Sequence, residues 1–162
     1  MSFVAVADSA EATRRLGERL ASVLRAGDLL ILTGGLGAGK TTFAQGLGAG
    51  MSVRGDITSP TFVIARVHPS LVGGPALVHV DAYRLGGVAE LDDLDLDTSL
   101  DDAVTVVEWG EDLAEGLAED RLEISLIRPR STDPGPNPDV RQLRFSPVGA
   151  RWTDSRLDEV LA

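Results

Sequence analysis

The stretch Gly34-Gly35-Leu36-Gly37-Ala38-Gly39-Lys40-Thr41-Thr42 decides how the rest of the chain is read. Residues Gly34 to Thr41 fit G-x-x-x-x-G-K-[ST], a loop whose backbone N–H groups cradle phosphate. Four glycines in six positions let the main chain turn its amides inward around an anion, at φ values a side chain resists. A lysine at position 40 supplies a point charge for the β- and γ-phosphates, and the Thr41 hydroxyl suits Mg²⁺. The flanks agree with the loop. Asp28-Leu29-Leu30-Ile31-Leu32-Thr33 is a short apolar run of the kind a doubly covered parallel strand shows. Thr41 to Leu47 begins a helix whose N-terminal dipole faces the same anion. Lys40 is the only lysine of the chain, all other basic side chains being arginine or histidine.

Composition sets the outer bounds. With 162 residues, 43% hydrophobic and 25% charged, the whole of residues 1–162 reads as one globular domain. A formal net charge of −10 argues against unaided binding to a nucleic-acid backbone, which takes clustered Lys and Arg. The absence of cysteine removes disulfides, thiol catalysis and thiolate metal sites. Met1 to Ala7 has neither the basic start nor the long apolar region of a signal peptide. No apolar run approaches the ~20 residues that span a bilayer. The expectation is a cytoplasmic protein that does not engage membranes.

Around the loop the chain alternates between strand and helix signals. Ser2 to Ala7 reads as an edge strand. Asp8 or Ser9 then caps a helix, with Glu11 placed for a capping box and Leu16, Leu20, Val23 and Leu24 forming its apolar stripe up to a stop at Gly27. Gly46, Gly48 and Gly50 weaken the helix after the loop, by roughly 1 kcal/mol each against alanine. Ser59-Pro60-Thr61-Phe62 reads as a loop entering a strand, and Pro69 to Pro75 as the turn of a hairpin. The returning strand Ala76 to Val80 ends in Asp81, the form that delivers a carboxylate to the carboxyl edge of a sheet. His79 within it reads as a packed or edge histidine. Val104 to Val107 is a second buried-type strand, ending in Glu108. If these strands run parallel to the loop strand, both acids meet Lys40 and Thr41 at one edge. There they can hold Mg²⁺ directly or through water, and one can orient an attacking water.

The acidic run from Gly86 to Asp102 reads as a short helix with a solvated face, or else as an acidic docking surface. Glu111 to Ala118 reads as a helix. Arg121 to Arg128 and Val140 to Phe145 alternate as an antiparallel pair, joined by a proline-rich loop from Pro129 to Asp139. Residues 152–162 form a short terminal helix or a frayed tail.

Four separated motifs act together: Gly-Leu-Gly-Ala-Gly-Lys-Thr-Thr at Gly35 to Thr42, Ser-Pro-Thr-Phe at Ser59 to Phe62, Asp-Ala-Tyr-Arg-Leu at Asp81 to Leu85, and Val-Glu-Trp-Gly-Glu at Val107 to Glu111. In this ordered set the chain resembles the TsaE (YjeE) family of small bacterial P-loop ATPases. The resemblance implies an α/β fold, a P-loop NTPase-like three-layer sandwich with a mixed, partly parallel central sheet. It also implies ATP as ligand (ADP after turnover), Mg²⁺ as cofactor, and a role in threonylcarbamoyl transfer to adenosine 37 of tRNA by a TsaD–TsaB pair. In that setting tRNA is met only indirectly, and ATPase activity is weak until the partners stimulate it. On this chain the resemblance implies that Gly37, Ala38, Gly39, Lys40, Thr41 and Thr42 bind the phosphates and that Thr41 and Glu108 hold the metal. Asp81 becomes the second catalytic carboxylate, beside Lys40 and Glu108, and Thr61 sits in a switch-like loop. Trp109 follows the acid as in relatives, and Gly35 stands where many of them have Asp.

Two other enzyme classes share the loop. A small-molecule kinase adds an Arg-rich lid, for which the only candidate, around Arg128 and Arg130, is broken by prolines. A GTPase needs Asn-Lys-x-Asp, which cannot be built when the only lysine is Lys40 and the only asparagine is Asn137. A non-hydrolysing nucleotide-dependent scaffold is the remaining alternative.

Overall fold

The computed structural model describes residues 2–34, 39–53, 65–81, 102–108, 120–127, 140–152 and 156–161, with Ala65 and Asp81 given by their backbone. In chain order the elements are β1 (Phe3–Ala7), α1 (Ala10–Ala21), β2 (Leu29–Gly34), α2 (Lys40–Met51), β3 (Ala65–His68), β4 (Ala76–Asp81), β5 (Ala103–Glu108), β6 (Arg121–Ile127) and β7 (Arg141–Val148). A 3-10 turn (Ala150–Trp152) and a one-turn helix, α3 (Leu157–Val160), come last. The strands form one seven-stranded sheet in the order β1-β7-β6-β2-β5-β4-β3. Strands β6, β2, β5 and β4 are parallel neighbours, and β7, β1 and β3 pair antiparallel at the flanks.

Burial matches this order. In β2, Leu29, Leu30, Ile31 and Leu32 are all buried, and β5 is buried along its full length. A strand covered on both faces reads as an unbroken apolar run, the signal seen in the sequence. One face carries Leu30, Leu32, Val104, Val106, Leu122, Ile124 and Phe145 into the main core with Phe43, Leu47, Leu16 and Leu20 of the helices. The other carries Leu29, Ile31, Val78, Val80 and Val107, which are buried as well. A three-layer arrangement requires burial on both faces. Toward the flank the pattern changes: β6, parallel to β2 but antiparallel to β7, alternates buried with half-exposed residues, and the edge strand β1 leaves Val4 and Val6 exposed. The expected pairing of β6 with β7 is present, and β7 continues past Phe145 to Val148. The Pro69–Pro75 segment does join an antiparallel pair, β3 to β4, with His68 opposite Leu77.

Helix α1 starts at one of the two caps expected, but without the capping box, and it ends earlier than its apolar stripe. Ser9 is its cap, the Oγ accepting from Ala12 N at 3.1 Å, while Glu11 pairs with Arg15 at 2.9 Å instead of closing a box. The helix ends at Ala21, with Ser22 as C-cap, so Val23 and Leu24 lie beyond it and pack against the core from the connection to β2. Gly27 serves the turn into β2, with φ of 96° and its N–H on Ala103 O at 3.0 Å. The chain has to leave the helix early in order to descend to the sheet.

The glycines of α2 also have a different purpose from the one composition suggests. The helix runs unbroken to Met51. A Cβ on Gly46 would collide with the backbone carbonyl of Arg14 in α1, and one on Gly17 of α1 with Phe43 O and, at 2.9 Å, with Leu47 N. The two helices therefore touch backbone to backbone, and the loss in helix propensity is offset by this close approach.

The C-terminal residues are not a frayed tail. Trp152, Leu157 and Leu161 are buried in the main core. Arg151 forms a buried fork on Asp28, with Nε to Oδ1 at 2.8 Å and Nη2 to Oδ2 at 3.0 Å, and Nη2 also reaches Val23 O at 2.7 Å. Its guanidinium lies 4.4 Å from the centre of the Trp152 ring. Among the described residues no helix is long and apolar enough to cross a membrane.

The helix contact is open to test. Alanine is the better helix former, yet Gly46→Ala is expected to destabilise the protein by about 1–3 kcal/mol in urea unfolding, the usual consequence of overpacking. A neutral or stabilising result would show that α1 and α2 do not need their backbone contact.

Candidate functional site

Strand β2 carries the chain to Gly34, and α2 starts six residues later at Lys40. Gly39 is the helix N-cap, in the left-handed region at φ 104° and ψ 15°, and no side chain caps the helix. The amides at the start of a helix have no intrahelical acceptor, and the dipole there favours an anion. Among the described residues, a Cβ at Gly39 would meet Leu126 Cδ2 at 3.6 Å and Thr13 Cγ2 at 3.7 Å, both ordinary contacts. Against these neighbours it is the torsion angle that calls for glycine.

Lys40 is buried, 8% exposed, and its Nζ donates to Gly34 O at 2.8 Å. The side chain thus ties the end of the strand to the start of the helix across the loop. Thr41 and Thr42 come next in the first helical turn, both half-buried. Gly37 and Ala38 lie outside the described residues, as do Ser59 to Phe62, Ala82 to Asp101, Trp109 to Ala118 and Pro129 to Asp139.

The two acids arrive at the same edge. Leu32 of β2 is in register with Glu108 of β5, and Glu108 with Asp81 of β4. Gly34 lies two residues further along β2, or roughly 7 Å at the rise of a parallel strand. The parallel arrangement that the sequence left conditional is present. Glu108 is 4% exposed. His79, two residues before Asp81 and fully buried, brings Nε2 to 3.3 Å from Glu108 Oε1. The separation is that of an ion pair, but the angles are not those of a formed hydrogen bond. Glu108 Oε1 and both His79 nitrogens have no other hydrogen-bond partner among the described residues. His79 is therefore packed, on an interior strand, and it also faces the acid. Sequence reasoning missed that contact, although the alternation of a strand puts residues 79 and 81 on one face.

Chemically, the arrangement offers an uncapped helix start and an ammonium for phosphate, with a buried carboxylate for a divalent cation. Among the described residues no three His, Asp or Glu side chains converge as a metal cage. Mg²⁺ takes one or two protein carboxylates together with phosphate oxygens and water, and Glu108 is a carboxylate of that kind.

A parallel strand leading to a helix that starts at a left-handed glycine, with one acid ending the adjacent strand β5 and another ending β4 beyond it, defines an α/β protein with a mixed, partly parallel sheet. The chain belongs to the TsaE family: the profile described as "Threonylcarbamoyl adenosine biosynthesis protein TsaE" matches residues 7–133. It is 60% identical over 140 residues to the tRNA threonylcarbamoyladenosine biosynthesis protein TsaE of Streptomyces coelicolor, covering 86% of this chain and 93% of that one. The protein of the same name from Bacillus subtilis is 35% identical over 143 residues, covering 88% and 84%. The crystal structure of YdiB from Bacillus subtilis superposes with a TM-score of 0.71 at 30% identity, covering 99% of this chain and 94% of that one.

The torsion at Gly39 makes its own prediction. Gly39→Ala is expected to lower stability by about 1–2 kcal/mol in thermal or urea melts, and Gly39→Asn by less, because asparagine tolerates the left-handed region. Equal losses for both would mean that crowding, and not φ, selects glycine.

Proposed function

We propose that this chain is a Mg²⁺-dependent ATP-binding and ATP-hydrolysing protein of tRNA threonylcarbamoyladenosine biosynthesis, working in the cytoplasm with a TsaD–TsaB pair. The observation that carries the reading is the common register of Leu32, Glu108 and Asp81, two residues short of the loop. The family match and the names of the relatives supply the pathway. With a net charge of −10, the chain reaches tRNA through its partners.

In this reading the loop from Gly37 to Gly39 and the first amides of α2, at Lys40, Thr41 and Thr42, bind the phosphates. Lys40, whose Nζ donates to Gly34 O, supplies the ammonium that meets phosphate oxygens. Thr41 and Glu108 would hold Mg²⁺, which would supply positive charge to offset that developing on the phosphate oxygens. Asp81 is the second carboxylate, orienting the attacking water. Glu108 and Lys40 are both buried, where electrostatic interactions with a ligand are screened less than in water.

Turnover measured with and without the partner pair tests this reading, the expected result being slow hydrolysis alone and faster hydrolysis in the assembly. Lys40→Ala is expected to abolish most nucleotide binding. Glu108→Ala should keep much of the binding but lose hydrolysis by about a hundredfold or more, as removal of several kcal/mol of transition-state stabilisation would cause. Equal loss of binding in both variants would contradict this division of roles, and phosphate transfer to a metabolite would indicate a kinase.

A further inference from the structure

The geometry points to His79 as a positioning residue: its Nε2–H holds the Glu108 carboxylate in one fixed orientation at the end of β5. The inference rests on the reading of Glu108 as the metal-associated acid, and it adds a residue outside the four motifs of the sequence.

Three observations carry it. The first is proximity, Nε2 standing 3.3 Å from Oε1 with both side chains at most 5% exposed. The second is that neither atom has a hydrogen-bond partner elsewhere among the described residues. Leaving a buried donor and a buried acceptor unsatisfied costs roughly 1–3 kcal/mol each, so two such groups within reach of one another are worth more paired than apart. The third is register. His79 lies opposite Val106, and Asp81 opposite Glu108, so His79 sits one same-face position behind the acid pair. Along β4, His79 precedes Asp81, so its imidazole reaches Glu108 from the position behind the strand ends. The off-axis angle fits a contact that straightens once the carboxylate is engaged, as hydrogen bonds around a site often do on ligand binding. Carboxylate ligands of metals are commonly oriented by such a second hydrogen bond, whose loss lowers metal affinity or activity about 10–100-fold.

A purely structural histidine would fill space, and leucine would replace it without effect on the acid. The test uses the full chain and two independent readouts. In the ligand-free protein, ¹⁵N-histidine NMR has only two imidazoles to assign, and His79→Gln identifies the relevant one by its disappearance. A proton on Nε2 of His79 that shifts in Glu108→Gln is expected. Its absence, or indifference to that substitution, overturns the inference. In turnover assays, His79→Leu should fall about 10–100-fold and need more Mg²⁺ for half-maximal rate. Affinity for a fluorescent ATP analogue should stay within about threefold, and His79→Gln, which keeps an N–H near the Nε2 position, should recover much of the rate. Full activity in His79→Leu overturns the inference. So does parallel loss of turnover, nucleotide affinity and melting temperature in both His79 variants. If the unmodified protein binds nucleotide but releases no phosphate, the ATPase reading fails, and the NMR result still decides the role of His79.

Discussion

Leu32, Glu108 and Asp81 occupy one row across three adjacent parallel strands, and the rest of the molecule depends on that alignment. Parallel pairing requires each strand to enter the sheet from the same end. The segments that leave β2, β4 and β5 therefore all emerge at one edge. At β2 the emerging segment is the glycine loop. A shift of β5 by one residue would move Glu108 to the opposite face and separate it from both Asp81 and His79. The buried apolar runs on both faces of β2 and β5 prevent such a shift, since every residue in them is already matched to a packed neighbour.

Two contacts away from the site hold this row and loop in place. Backbone contact between α1 and α2, at Gly17 and Gly46, sets the position of the helix whose first turn closes the loop. At the other end of β2, the fork from Arg151 to Asp28 fixes the start of the strand, where Asp28 Oδ2 also accepts from Arg25 N at 2.8 Å and Asp28 O from Thr105 N at 3.0 Å. A buried charge pair of this kind stands or falls as a unit, because removal of either partner leaves the other unpaired away from water. The strand that leads into the loop is thus anchored at its origin by the last part of the chain.

Placing Glu108 in a dry interior next to His79 gives the acid a defined orientation before any ligand arrives. Carboxylates in solvent rotate freely and are screened. One buried among packed neighbours is held in place and screened less.

The amino-acid sequence alone determined the loop, the apolar strand before it, the acids ending two later strands, the hairpin and the antiparallel β6–β7 pair. Each of these is written in local chemistry: glycine spacing, unbroken apolar runs, turn residues and period-two alternation. Other features depended on partners distant in the chain. Gly46 looks like a weak point until Arg14 of another helix is seen against it, and residues 152–161 look like a loose end until Arg151 is seen on Asp28. His79 looks like packing until Glu108, 29 positions later, is brought alongside by strand order. Composition and periodicity report which residues seek burial or a turn. Only the tertiary structure decides which of them meet, because register between strands and approach between helices are settled by the packing of the whole core.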